Sequence, residues 1–360
     1  MIIGKDEKLK RAVLWPPAKL YELAVRLRVA AYETDYLKQK RLGATVISVG
    51  NLTLGGAGKT PVAHYIARYL KSEEHSVAIL TRGYARESSG MRVLNDSRSD
   101  SKPTPAPTYR EFGDEPLMLA RSLPDIPIIV NKNRYEAGQW AESQLGSEVL
   151  VLDDAYQHLA VARDLNILLI DATDPFGEFE MPPFGRLREP LYGIKRADVI
   201  IITRADRAFD QGQTQGIIRY YCGDKVPVMY LYSTITRLRH LATGEVYAAK
   251  DFGGWNVAVA CGIANPNAFS QDVLQAGINI VSESFFADHH AFTQDDVDRI
   301  SRAARDAGAD AVVTTEKDAV RLEGLTHGDI PIYAAQLEIE SDDEVRLKSL
   351  LLRTVNIKQR

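Results

Sequence analysis

The chain has 360 residues, 45% hydrophobic and 26% charged, ordinary globular proportions that exclude a disordered, collagen-like or coiled-coil protein and leave room for about two domains. Its net charge of −4 is unevenly spread: residues 1–41 carry ten Lys or Arg against five Asp or Glu, a local +5 that leaves −9 on the rest. The result is a basic arm on an acidic body, with no basic, aromatic-interleaved patch beyond the arm to attract nucleic acid.

Cys222 and Cys261 are too few for a disulfide framework and form no C-x-x-C pair. No run of about 18 apolar residues is present to span a bilayer, and the charged start, residues 1–10, lacks a secretory core. A reduced, cytoplasmic setting is expected.

In chain order, Pro16 and Pro17 precede a stretch in which Leu20, Leu23, Ala24, Leu27, Ala30, Ala31 and Leu37 recur at helical spacing, with Lys19, Arg26, Arg28 and Lys38 between them. This predicts a basic amphipathic helix within 1–41. Its apolar face could pack on its own domain or lie on an anionic membrane surface. From residue 44 onward, β-branched runs at 45–49, 77–80, 126–130, 149–152, 167–170 and 199–203 alternate with helical patterns. Apolar on both faces, they suit buried parallel strands with helical crossovers, and predict a doubly wound α/β domain over 42–227.

Residues 86–108, rich in Ser, Asp and Pro, predict a mobile surface loop. Runs at 228–236 and 246–249 flank Ala242-Thr243-Gly244-Glu245 and predict a hairpin linker over 228–250. Beyond it, strand-like runs at 257–261, 278–281, 311–314 and 330–334 alternate with helices such as 294–307, which predicts a smaller α/β domain over 251–360.

The strongest chemical signal is Gly50-Asn51-Leu52-Thr53-Leu54-Gly55-Gly56-Ala57-Gly58-Lys59-Thr60-Pro61, directly after a strand and opening a helix. Backbone N–H groups from Thr53, Leu54, Gly55, Gly56, Ala57 and Gly58 onward can curl round phosphate oxygens. Lys59 can reach the β/γ-phosphates and the Thr60 hydroxyl can ligate Mg²⁺. Thr53 stands where the strict P-loop pattern has its first Gly.

The apolar run 149–152 ends in Asp153 and Asp154, at least one of which is expected to serve as the acid that holds the magnesium water shell. Asp171, after 167–170, is a weaker candidate of the same kind and reads first as a structural residue. Arg82, after the second strand, and Arg188 could each neutralise phosphate charge. Asp114 begins a helix, where it is either a helix cap or a carboxylate base for an acceptor hydroxyl. Asp288-His289-His290 offers an acid beside an imidazole. Thr203-Arg204-Ala205-Asp206 departs from the N-K-x-D guanine reader at its first two positions, so GTP is not expected.

Taken together, G-N-L-T-L-G-G-A-G-K-T-P (50–61), T-R-G-Y (81–84), G-D-E-P (113–116), L-D-D-A-Y-Q-H (152–158), L-R-E-P (187–190), D-H-H-A-F-T (288–293) and T-E-K-D-A-V-R-L (315–322) resemble the lipid A 4′-kinase family of Gram-negative bacteria. The resemblance implies a P-loop NTPase-like α/β/α sandwich with a second, smaller α/β/α domain and a two-stranded β linker. It implies transfer of the ATP γ-phosphate, with Mg²⁺, to the 4′-hydroxyl of tetraacyldisaccharide 1-phosphate, forming lipid IVA at the cytoplasmic face of the inner membrane. By motif match Lys59 and Thr60 would take phosphate and metal, Asp153 or Asp154 the metal and active-site network, and Glu189 would assist the metal. Asp114 paired with His289 would activate the sugar hydroxyl, and Arg82 and Arg188 would contact phosphates.

Such an acceptor leaves a bilayer at a cost of roughly 0.8 kcal/mol per exposed CH₂, so the resemblance favours contact of the N-terminal helix with an anionic membrane. No obligate protein partner is expected. The family usually has D-D-G-F-Q-H where this chain has Ala155 and Tyr156, which puts the turn after the acids in question. Two other readings remain. A nucleotide-switched ATPase of the partitioning or metallochaperone type would carry a Lys where Leu54 stands, and a non-catalytic membrane scaffold would not need Asp114 or His289.

Overall fold

The protein is seen here as a computed structural model that describes residues 5–96, 98, 106–207, 209–326 and 328–358, with side chains of the first helix from residue 13. Along the chain, α1 (Lys5–Glu33) leads into β1 (Thr45–Asn51), α2 (Lys59–Ser72) and β2 (Val77–Thr81). Then come β3 (Arg92–Leu94), α3 (Tyr109–Phe112), α4 (Asp114–Ser122), β4 (Ile128–Val130), α5 (Arg134–Leu145), β5 (Val149–Leu152), β6 (Leu165–Asp171) and β7 (Val199–Thr203). The remainder is α6 (Gln211–Cys222), β8 (Val228–His240), β9 (Val246–Ala248), β10 (Asn256–Cys261), α7 (Pro266–Gln275), β11 (Asn279–Phe285), α8 (Gln294–Asp306), β12 (Ala311–Thr315), α9 (Glu316–Leu322), β13 (Ile332–Glu340) and α10 (Glu344–Lys358).

The chain is α/β and forms two compact units, neither contiguous in sequence. One comprises Met1–Thr81, Asn133–Leu231 and Ser341–Arg360, the other Arg82–Lys132 and Tyr232–Glu340. This division differs from the linear cuts expected at 42–227, 228–250 and 251–360, for reasons visible in the packing. Residues 82–132 join the second unit because α4 lies against α9 and Asp114 pairs with Arg321. The last helix returns to the first unit, where Leu347, Leu351 and Val355 are buried and Lys358 Nζ sits 2.7 Å from Asp164 Oδ2.

In the first unit the strands run parallel in the order β8-β7-β6-β1-β5-β2, with β8 contributing residues 228–231. Every residue of β1, β2, β5, β6 and β7 is buried, as expected for parallel strands covered on both faces. Leu168, Ile170, Ile200 and Ile202 share a cluster with Ile218 of α6, and Val25 of α1 packs against it. Because β5 and β6 flank β1 in parallel, the segments leaving all three strands emerge at one edge. That edge holds the phosphate loop, Asp153 with Asp154, and Asp171.

In the second unit β11, β10, β12 and β13 are parallel, β13 pairs antiparallel with β8 from residue 232 on, and β9 pairs antiparallel with β8. Alternate β10 residues serve opposite faces: Val257, Val259 and Cys261 cluster with Phe269 and Val273 of α7, and Ala258 and Ala260 with Val297, Ile300 and Ala304 of α8. The expected hairpin is present as β8–β9, but its long first strand is an integral sheet member instead of a free connector.

Two expectations differ from the structure. The stretch 86–108 is not all loop, since β3 pairs antiparallel with β4 and Asn95 Nδ2 donates to the carbonyls of Ala120 and Leu123 at 2.7 and 2.8 Å. Residues 97 and 99–105, where a mobile centre was expected, lie outside the described residues. In α1 the prolines do not precede the helix but lie inside it. Proline removes a donor and strands the carbonyls of the preceding turn, a cost water can relieve here because Val13, Leu14 and Trp15 are exposed.

Candidate active site

The phosphate loop is shaped by its backbone and by donors from outside it. Gly55 (φ 116°) and Gly58 (φ 74°) take conformations that favour glycine. Gly50 is needed for a different reason: a Cβ there would come 2.6 Å from Tyr156 N. The segment before the loop is pinned by an antiparallel bridge between Thr53 and Leu187. Thr53 itself is buried, its hydroxyl accepting from Asn51 Nδ2 at 3.1 Å, so it shapes the loop from beneath.

Three successive carbonyls are then tied down. Lys59 Nζ donates to Gly55 O at 3.0 Å, Arg204 Nη1 to Gly56 O at 2.9 Å, and Thr203 Oγ1 to Ala57 O at 3.2 Å. The first N–H groups of α2 have no acceptor within their own helix, which makes its N-terminus an anion site.

The acids after β5 separate by role. Thr60 Oγ1 donates to the buried Asp153 Oδ2 at 3.3 Å, which joins a metal-type hydroxyl to a metal-type acid. Asp154, at φ 48°, turns instead toward cations: Arg188 holds it with two hydrogen bonds of 2.6 and 3.1 Å, and Lys59 Nζ lies 3.9 Å away. Burial opposes its charge, but Lys59 and Arg188, with Arg134, outweigh that and hold its carboxyl below the usual Asp range.

Glu189 differs from the expectation of a metal ligand. It is 1% exposed, and Arg196 Nη2 lies 2.6 and 2.7 Å from its two oxygens. Gln157 Nε2 also donates to it at 3.0 Å. A carboxylate so occupied orders Gln157, which contacts Arg188 at 3.3 Å, and thereby supports the site at one remove. Among the described residues no cluster of three or more His, Cys, Asp or Glu could hold a metal alone. Thr60 and Asp153 fit the more modest protein share of a P-loop magnesium, whose other ligands are phosphate and water.

The second unit holds a separate constellation. Asp114 opens α4 and is 4% exposed. Its Oδ1 accepts from Glu115 N at 2.9 Å, and its Oδ2 lies 3.0 Å from His289 Nδ1 and is ion-paired with the buried Arg321. Arg321 also reaches Asp318 at 3.1 Å; burial pushes its guanidinium down to about 10, still a cation at neutral pH. The Tyr84 ring packs on the His289 imidazole with centroids 5.0 Å apart. Burial, then Lys317, lowers the pKa of His289 against the opposing pull of Asp288, Glu115 and Asp318. Arg82, just past β2, is exposed.

Of the residues singled out from the sequence, Lys59, Thr60, Asp153, Asp154 and Arg188 come together in the first unit, and Asp114 and His289 in the second. Sequence reading missed Arg134, 2% exposed, whose Nη2 approaches Asp153 O at 3.5 Å, and gave no role to Arg204 or Arg321. The T-R-A-D segment after β7 was the available signal for Arg204. Asp171, read first as structural and only second as a metal acid, is the ion-pair partner of Arg204.

A family model described as Tetraacyldisaccharide-1-P 4′-kinase matches residues 10–356. This chain belongs to that family. The tetraacyldisaccharide 4′-kinase of Geobacter sulfurreducens is 37% identical over 97% of this chain and 94% of its own length, and that of Halothermothrix orenii 34% identical over 92% and 90%. Among solved structures, the "apo" form of LpxK from Aquifex aeolicus in complex with ATP superposes with a TM-score of 0.73 at 30% identity, covering 96% of this chain and 99% of that one. Membership over nearly the whole chain disfavours the switch-ATPase reading.

The present 4′-kinase family member accommodates its two departures from the usual motif without distortion. The left-handed residue of the turn is Asp154 and not Ala155, so glycine is not required there. The extra hydroxyl of Tyr156, fully buried, donates to Gly193 O at 2.7 Å.

Proposed function

We propose that this protein, an ATP-dependent kinase of lipid A biosynthesis by its family, transfers the γ-phosphate of ATP to the 4′-hydroxyl of tetraacyldisaccharide 1-phosphate through the residues that follow. The observation that carries the reading is the family match over residues 10–356 together with the Thr60–Asp153 pair at the mouth of the phosphate loop.

Lys59, the first amides of α2 and Arg188 bind phosphate oxygens and draw charge from the transferring group. Thr60 and Asp153 would hold Mg²⁺, which would supply further charge neutralisation. Asp154 keeps Lys59 and Arg188 in place. Asp114, oriented by His289, accepts the proton of the acceptor hydroxyl, and the exposed Arg82 is available to an anionic group.

The acceptor is a lipid, and no helix among the described residues is long and apolar enough to cross a membrane. Leu20, Leu23 and Leu27 of α1 are each at least half exposed, while Ala18, Val25 and Val29 anchor the opposite side. This outward apolar stripe, with Lys19, Arg26 and Arg28 beside it, supports peripheral attachment to the anionic cytoplasmic face of the inner membrane.

The test is γ-³²P transfer from Mg-ATP to detergent-dispersed tetraacyldisaccharide 1-phosphate, resolved by thin-layer chromatography. A labelled bisphosphorylated lipid is expected. Steady ATP hydrolysis with no labelled lipid would sink the reading and point to a switch ATPase.

A further inference from the structure

We infer that Lys317 is a positioning residue of the phosphotransfer reaction, its ammonium fixing His289 as the neutral Nδ1–H tautomer that orients the Asp114 carboxylate. The inference rests on the reading of Asp114 as proton acceptor and names what holds that acceptor in register.

The start of α9 is locked before its side chains are considered. Thr315 Oγ1 accepts from Asp318 N at 3.0 Å and donates to Asp318 Oδ2 at 2.8 Å, and the same oxygen accepts from Gly262 N at 3.0 Å. Lys317 and Arg321 are one turn apart and share a face. Arg321, inside, engages Asp114 and Asp318. Lys317 is less deeply buried, its Nζ lying 3.3 Å from His289 Nε2, 3.2 Å from Asp288 Oδ1 and 3.6 Å from Glu115 Oε1.

The tautomer follows from donor and acceptor chemistry. An ammonium has only donors, so Nε2 presents its lone pair to Lys317 and the single ring proton sits on Nδ1. That nitrogen is 3.0 Å from Asp114 Oδ2. Asp288 Oδ2, at 3.8 Å from Nε2, is too far to hydrogen-bond and hold the proton on the other side. Arg321 Nη2, also a donor, lies 3.1 Å from Nδ1, but of the two ring nitrogens only Nδ1 has a carboxylate oxygen within hydrogen-bond distance, so the proton is placed there while Arg321 is directed to the same Asp114 oxygen. Ring rotation is restricted by Tyr84, whose ring lies against the imidazole at an interplanar angle of 48°, and the His289 backbone is held at φ 61° with its N–H on Gly262 O.

The charged groups facing the ring are Asp114 and Glu115 from α4, Asp288 from its own loop, and Lys317, Asp318 and Arg321 from α9. Removing Lys317 leaves Asp288 and Glu115 uncompensated, and they then favour a proton on Nε2 and hence an imidazolium. The experiment measures kcat against pH with the detergent-dispersed lipid acceptor for wild type, Lys317→Met and Lys317→Arg, together with ¹⁵N spectra of histidine-labelled protein.

In wild type, His289 should give the Nδ1–H signature. In Lys317→Met, kcat at pH 7 should fall about tenfold with the KM for ATP within about twofold, and the acid limb should rise by about one pH unit. Lys317→Arg should recover most of both. An Nε2–H signature in wild type, or an unmoved acid limb in a folded Lys317→Met protein, would overturn the inference; the first readout survives even if the variant fails to fold. Full turnover in Asp114→Asn and His289→Ala would instead remove the underlying base assignment, an outcome distinguishable because the wild-type tautomer is read without turnover.

Discussion

At the scale of single residues, a Gly-Gly-Ala-Gly loop has far more conformations than a nucleotide can use, and ordering it costs free energy on binding. Arg204 reduces that cost by joining Gly56 O to Asp171. Arg204→Ala should raise the KM for ATP about tenfold, the order expected for one charge-assisted hydrogen bond, with kcat within about threefold; steady-state kinetics showing an unchanged KM would remove the tether. Asp114→Ala should behave in the opposite sense. Turnover should fall at least about a hundredfold, as for loss of a proton acceptor, while nucleotide affinity measured by calorimetry stays within about twofold. Equal losses in both would end its assignment as base. Lys59, Thr60 and Asp153 were legible in the sequence because strand, loop and helix fix their spacing. Arg204 and its carbonyl partner lie 148 positions apart, and no local pattern announces such a contact.

Elements were legible wherever burial dictates composition. β1, β5, β6 and β7 read as strands because both faces are covered and both must be apolar. The three-residue β3 is too short to stand out from its Ser- and Pro-rich surroundings. In α1 the two prolines read as a boundary, yet the helix runs through them, which local propensity disfavours.

The most clearly specified helix is α8, with a capping box in which Thr293 Oγ1 accepts from Asp296 N and Asp296 Oδ2 accepts from Thr293 N at 3.0 Å. Against the opposing effect of burial, His290 and Thr293 hold the Asp296 carboxyl down at about 2. A depressed carboxyl stabilises the fold above its unfolded pKa near 4 and loses that contribution as pH falls through 2. Urea midpoints should therefore drop between about pH 4 and 2 more steeply in wild type than in Asp296→Asn, which should already be about 1 kcal/mol less stable at pH 7. Identical acid slopes in the two proteins would show that the box carries no such linkage.

At the scale of the whole molecule, a linear reading of domains could not find units built from interleaved segments. β8 supplies residues 228–231 to the first unit and later residues to the second, and α10 returns across more than a hundred positions to pack in the first. Nor could sequence decide which face of α1 looks outward, since Ala18, Val25 and Val29 offer an apolar stripe as plausible as Leu20, Leu23 and Leu27. The structure buries or half-buries the former and exposes the latter. Three exposed leucines on one face, each able to gain about 1.5 kcal/mol or more on leaving water, and basic neighbours worth about 1 kcal/mol each near an anionic surface, would together suffice for the proposed reversible attachment. Leu20→Glu/Leu23→Glu/Leu27→Glu should therefore weaken co-sedimentation with phosphatidylglycerol-containing vesicles more than about tenfold. Added salt should weaken wild-type binding as it screens the basic residues. Because the triple variant leaves Lys59, Thr60 and Asp153 untouched, its ATP affinity should be unchanged and its activity on detergent-dispersed acceptor largely retained, with the deficit appearing when the acceptor is presented in vesicles. Undiminished vesicle binding by the triple variant would mean that α1 does not dock the protein, and would move the search to its other exposed surfaces.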